Sequence, residues 1–165
     1  MNINKKVYRW LIELTLIFIV LLSIKFWMQR DIVSGIAPNI SSVMVDGQYF
    51  DLYKNKKRPI LVHFWATWCP VCKLEQSNIQ NISKDMPVIT IAMQSGNDDE
   101  LREFMKDEYL FFNTINDESG RLSRLYNIRG VPVSFIINKE NKIKFTEMGY
   151  TTELGLRVRL WWSGI

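Results

Sequence analysis

The chain has 165 residues, 47% of them hydrophobic and 23% charged, with two cysteines, one histidine and a formal net charge of +4. That length carries one domain with a real core plus a short appendage, and the composition excludes a disordered or fibrous chain. The positive excess lies wholly in residues 1–30, where Lys5, Lys6, Arg9, Lys25 and Arg30 face only Glu13; residues 31–165 set 16 basic against 16 acidic side chains, which excludes the basic footprint of a nucleic-acid-binding domain.

Residues 1–9 carry three basic groups and no acid, and Trp10 to Met28 follows as an apolar stretch interrupted only by Glu13, Thr15, Ser23 and Lys25. As a helix it reaches about 28 Å, close to the ~30 Å hydrocarbon core of a bilayer. Trp10 and Trp27 bracket it as interfacial aromatics do, and Glu13 and Lys25 lie near its ends. The expectation is a transmembrane anchor over 10–28 with residues 1–9 cytoplasmic and the remainder exported. A cleaved signal peptide fits less well, because Lys25-Phe26-Trp27-Met28 follows the apolar run where small residues belong. A buried soluble helix fits less well because the stretch is apolar on nearly every face.

Residues 29–41, with Gly35, Pro38 and Asn39, read as a linker to a domain spanning 42–165. Asp46-Gly47 between Val43–Val45 and Gln48–Leu52 is a hairpin signal. Lys54 to Pro59 is a solvated basic loop. Ile60 to Trp65 is a continuous apolar run broken only by His63, the pattern of a strand buried on both faces. A helix follows, with Val71, Leu74, Ile79 and Ile82 within one broad face, and Val88 to Met93 is a second buried strand. Asn97 and Asp98 can cap a helix with Leu101, Phe104, Met105 and Tyr109 on one side. Leu122, Leu125 and Tyr126 mark a short helix. Val133–Ile137 and Ile143–Met148 form a hairpin, and a last helix begins near Thr151 or Thr152 with Leu154, Val158 and Trp161 on one face. This order implies an α/β fold with a sheet of mixed strand directions flanked by helices.

The two cysteines stand in Trp68-Cys69-Pro70-Val71-Cys72, between the buried strand and the helix. Free backbone N–H groups and the helix dipole favour a thiolate on Cys69, and Cys72 is placed a turn further on to attack a mixed disulfide formed by it. A structural zinc site needs more ligands than two cysteines and one histidine. Haem attachment needs a histidine after the second cysteine, where Lys73 stands. A purely structural disulfide closing so short a loop constrains the unfolded chain little. Neither a metal nor a cofactor is expected.

Leu61-Val62-His63-Phe64-Trp65-Ala66-Thr67-Trp68-Cys69-Pro70-Val71-Cys72 and Ile128-Arg129-Gly130-Val131-Pro132 together resemble the thioredoxin superfamily. The likeness covers about residues 42–165 and is nearest to its membrane-anchored, exported branch, which includes cytochrome c maturation thioredoxins and the oxidoreductases of suppressor-of-copper-sensitivity systems. It implies a thioredoxin-like mixed sheet and thiol–disulfide exchange on exported proteins. It also implies a catalytic pair Cys69 and Cys72, and a location on the outer side of a bacterial cytoplasmic membrane beside a membrane thiol or electron-transfer partner. Reduction is the favoured direction, since a reductase in an oxidising compartment draws electrons from such a partner. Pro132 matches the family's cis-proline beside the dithiol, and Val131 the position whose backbone pairs with bound substrate. Trp68 is expected to shield the motif and meet substrate. Glu75, if buried, has a raised pKa and can exchange protons with Cys72. His63 stands where thioredoxin has a buried acid and can relay a proton if it titrates near neutrality. Ser77 replaces a helix-kinking proline, and Val71 the thiolate-stabilising histidine of strong oxidases. Copper binding by two thiolates and a redox-inert binding module are the alternatives.

Overall fold

The computed structural model describes residues 5–29 and 32–165, with side chains described for 7–20 and 32–165. The chain divides into two compact units, Met1–Ile32 and Val33–Ile165. The first contains helix α1 (Lys5–Gln29), whose side chains from Val7 to Val20 are exposed. Among the described residues no helix is long and apolar enough to cross a membrane. The expected span over 10–28 runs past Val20 into residues 21–28, whose side chains lie outside the described residues.

The second unit opens earlier than the linker reading places it. Ala37 and Ile40 are fully buried, and the segment is tied down by main-chain bonds: Ala37 N–H donates to the Asn141 carbonyl at 2.8 Å, and Leu52 N–H to that of Ile40 at 2.8 Å. Tyr126 Oη donates to the Pro38 carbonyl at 2.7 Å. Gly, Pro and Asn in 33–41 read as a linker by composition, but the domain satisfies their backbone groups, so the segment is part of the fold.

Strands β1 (Ser41–Val43) and β2 (Tyr49–Asp51) pair antiparallel across the Asp46-Gly47 turn, where Gly47 takes φ +85°. Strand β3 (Ile60–Trp65) and helix α2 (Pro70–Ser83) follow, then β4 (Val88–Met93), α3 (Asp98–Asp107), β5 (Thr114–Asp117) and α4 (Arg121–Leu125). Strands β6 (Val133–Ile137) and β7 (Ile143–Met148) form the hairpin, and α5 (Glu153–Gly164) ends the chain. The five-stranded sheet runs β5-β4-β3-β6-β7, with β3 parallel to β4, β4 parallel to β5, and the β3–β6 and β6–β7 pairs antiparallel. Every residue of β3, β4 and β6 is buried, as expected of apolar runs broken only by His63, Thr90 and Ser134. Strand β5 has no such run; parallel pairing with β4 holds it at the sheet edge.

Two helix faces differ from the periodicity reading. On α2 the buried side chains are Cys72, Glu75, Gln76, Ile79 and Ile82, while Val71 and Leu74 are exposed. On α5 the buried ones are Leu156, Leu160 and Ser163, while Leu154, Val158 and Trp161 face out. Both helices are apolar on more than one side, so the sheet they pack on decides which stripe is covered. The core over this side of the sheet joins Leu61, Trp65, Cys69, Cys72, Ile79, Ile82, Leu156 and Leu160.

Candidate active site

β3 is central and parallel to β4, so its C-terminal end delivers the chain from the middle of the sheet into the N-terminus of α2. Cys69 is the helix N-cap, with extended backbone (φ −93°, ψ 111°), and Pro70 takes the first helical turn, where its missing N–H costs nothing. Cys69 and Cys72 are joined as a disulfide with Cα atoms 5.3 Å apart. The Cys72 backbone N–H donates to Cys69 Sγ at 3.1 Å. This bond and the helix dipole lie on the first sulfur, so reduction leaves its thiolate stabilised. Both cysteines are buried, Cys69 at 4% and Cys72 at 1% exposure, so the inner residue is the more fully covered.

β6 runs antiparallel to β3, which brings its N-terminal end to the same edge of the sheet as the dithiol. The Val131–Pro132 peptide bond is cis. The Val131 carbonyl oxygen lies 3.5 Å from Cys69 Sγ. Pro132 is buried and Val131 half-buried, so a chain segment lying over Cys69 meets the backbone of Val131. Trp68 is 58% exposed, and its Nε1–H donates to the Gln94 carbonyl at 3.1 Å, which holds the indole over the end of β4.

Glu75 lies three positions after Cys72 on the buried face of α2 and is 1% exposed. Its Oε1 accepts the Thr151 backbone N–H at 3.2 Å, and its Oε2 has no hydrogen-bond partner. Desolvation raises its pKa to about 7, partly opposed by that backbone bond. His63 behaves otherwise than the relay reading requires. It is buried on β3, its Nδ1 lies 2.9 Å from Ser134 Oγ, and desolvation pushes its pKa down to about 3. It is therefore uncharged near neutrality, and titration there is excluded because a buried imidazolium has no counter-charge beside it. Lys73 is turned away: its Nζ pairs with Glu108 at 3.1 Å and lies 5.4 Å over the Phe104 ring.

The structure thus gathers Cys69, Cys72, Val131, Pro132 and Trp68 at one end of the sheet, with Glu75 one turn below. The partners of these groups escape sequence reading. Thr151 N–H and the Gln94 carbonyl are main-chain groups present at every residue, and Ser134 is marked only by its register opposite His63. Among the described residues no group of three or more His, Cys, Asp or Glu side chains is placed to hold a metal.

A sequence profile described as Redoxin matches residues 33–156. The chain is 29% identical over 161 residues to a thioredoxin-like protein of Haemophilus influenzae, covering 96% of both chains. It is 30% identical over 105 residues to the sporulation thiol-disulfide oxidoreductase A of Bacillus subtilis, covering 59% of this chain and 64% of that one. The crystal structure of StoA from Bacillus subtilis superposes with a TM-score of 0.64 at 27% identity, covering 74% of this chain and 96% of that one.

Proposed function

This chain belongs to the Redoxin family and is a thioredoxin-like protein disulfide oxidoreductase, and from that premise we propose that it acts as a membrane-anchored reductase of disulfides in exported proteins. The observation that carries the chemistry is the asymmetry of the pair: Cys69 caps the helix and receives the Cys72 N–H, while Cys72 is sealed beneath it.

In the reducing direction the Cys69 thiolate attacks one sulfur of a substrate disulfide, the substrate S–S bond breaks, and its second sulfur leaves as a thiol after taking a proton. The substrate backbone lies against Val131 at the cis-Pro132 edge, and Trp68 covers the approach. Cys72 then gives up its proton, with Glu75 as acceptor, and attacks Cys69 Sγ. The mixed disulfide breaks, the remaining substrate sulfur leaves reduced, and the chain holds the Cys69–Cys72 disulfide. Two electrons have passed to the substrate, and a membrane thiol or electron-transfer partner restores the dithiol.

The absence of a cation at Val71 and the occupation of Lys73 by Glu108 favour reduction, because less thiolate stabilisation makes a weaker oxidant. The apolar stretch 10–28 and the cations before it support an anchor that holds the domain on the outer side of a bacterial cytoplasmic membrane. Equilibration against glutathione tests the direction: a potential more negative than about −180 mV is expected, and one near −120 mV reverses the assignment to an oxidase. Cys72→Ser is expected to accumulate mixed disulfides with exported proteins through Cys69; equal accumulation by Cys69→Ser overturns the roles.

A further inference from the structure

The end of the domain opposite the dithiol has a character of its own. β3 is six residues long, from Ile60 to Trp65, so its starting end stands about 20 Å from the end that carries the dithiol. Three features meet there. The loop before β3 exposes Lys54, Lys56 and Lys57, and Arg58 Nη2 donates to Asn141 Oδ1 at 2.8 Å, which ties it to the turn of the β6–β7 hairpin. The C-terminal end of α5 packs there too, since a Cβ placed on Gly164 would lie 3.3 Å from the Pro59 ring. It turns Trp161, Trp162 and Ile165 outward, at 65%, 64% and 84% exposure. The domain also starts at this end: Ile143 N–H donates to the Gly35 carbonyl and Ala37 N–H to the Asn141 carbonyl, each at 2.8 Å.

Lys54, Lys57 and Lys84 line one open cleft of about 850 Å³ at the same end. The acids nearby are largely engaged: Asp51 accepts the N–H groups of Tyr53 and Lys54, Asp85 pairs with Arg157, and Glu140 lies 4.0 Å from Lys139. Cations beside exposed tryptophans are the composition that anionic lipid headgroups recognise.

We propose that this pole, formed by the Lys54–Arg58 loop and the Trp161–Ile165 end of α5, rests on the anionic headgroups of a phospholipid bilayer. The inference rests on the anchor proposed above. The chain takes five residue steps from Met28 to Val33, which reach at most about 18 Å. An anchored chain therefore holds the start of the domain within that distance of the lipid surface, and the features gathered at that start are the ones suited to it. Docked in this way, the domain points Cys69 away from the bilayer and toward soluble proteins.

The test uses the full chain in lipid nanodiscs of phosphatidylcholine alone, or with about one third phosphatidylglycerol, read by amide hydrogen exchange. In anionic discs the loop amides from Lys54 to Arg58 are expected to exchange about tenfold more slowly at low salt. The difference should vanish near 0.5 M salt and in a Lys54→Gln, Lys57→Gln, Lys84→Gln variant. Exchange over Trp68–Cys72 should match in all cases, which also reports that the variant is folded. Equal loop exchange in both discs, with the chain retained in them, overturns the docking and leaves the anchor standing. Equal slowing in both discs overturns headgroup recognition. Slowing that needs added membrane proteins assigns the pole to a protein partner and overturns the lipid. A chain that does not stay in either disc refutes the anchor, and the docking falls with it.

Discussion

At the residue scale, Glu75 is the group whose chemistry the surroundings have changed most usefully. A carboxyl near pKa 7 is half ionised at neutral pH and can take the proton that the sealed Cys72 thiol must lose. Below pH 7 it is already protonated and cannot. Resolution of the mixed disulfide should therefore slow as pH falls through about 7, and Glu75→Gln should slow it by about 10²-fold above that pH while removing the inflection; stopped-flow decay of the transient mixed disulfide, with Cys72 present, measures both. His63→Asn should leave the inflection in place, because the histidine stays neutral throughout this range. Stability gives an independent reading of Glu75. Its folded pKa is raised, so stability is greatest below about 4.5 and falls as pH rises to about 7, by roughly 3 kcal/mol in total. His63 has the opposite sign: its lowered pKa removes stability as pH falls from about 6.5 to about 3. Urea titrations of Glu75→Gln across this range should lose the decline toward neutrality and keep the acid one.

At the element scale, α5 shows how a helix apolar on several sides is oriented by what it packs against. Leu156 and Leu160 meet the core of β3 and α2, and Arg157 fixes the roll of the helix by bonding Asp85 at 2.7 Å and Glu153 at 2.8 Å. Leu160→Ala is expected to cost 2–5 kcal/mol in urea unfolding, the range for a large buried side chain. Trp161→Ala, despite removing more atoms, should change stability by no more than about 0.5 kcal/mol, because the indole is already in contact with solvent. Reversal of that order would restore the face that periodicity alone suggests. Helix α3 makes the contrast: the Asn97 side chain accepts the N–H groups of Asp99 and Glu100, and Glu100 bonds back to Asn97 N–H at 2.8 Å. Its start is set by local chemistry that the sequence displays.

At the scale of the whole molecule, the proposed arrangement is an exported catalytic domain on a short tether. A periplasmic reporter fused after Ile165 should be active only outside the cytoplasm, and activity inside the cell reverses the topology. The charge split supports that orientation: three cations and no acid precede Trp10, and the domain beyond residue 30 is neutral. A neutral domain has no general attraction to an anionic surface, so its recognition of lipid depends on where the lysines are gathered.

The sequence by itself determined the buried central strands, the helix start at the Cys69 motif, the other helix starts to within one residue (Asn97 or Asp98, Thr151 or Thr152), the Asp46-Gly47 turn and the spacing of Cys69 and Cys72, because each is written in contiguous residues. Sequence with the family resemblance also pointed to Pro132, whose cis bond and place beside Cys69 come from distant strands meeting. Only the tertiary structure decided that residues 33–41 belong to the fold, that β5 exists as an edge strand, and which faces of α2 and α5 are covered. It also separated His63 from Glu75. Both are buried titratable groups near one motif, yet burial holds the imidazole neutral and brings the carboxyl to the edge of ionisation. Desolvation sums over every atom packed around a group, and that sum does not exist until the chain has folded.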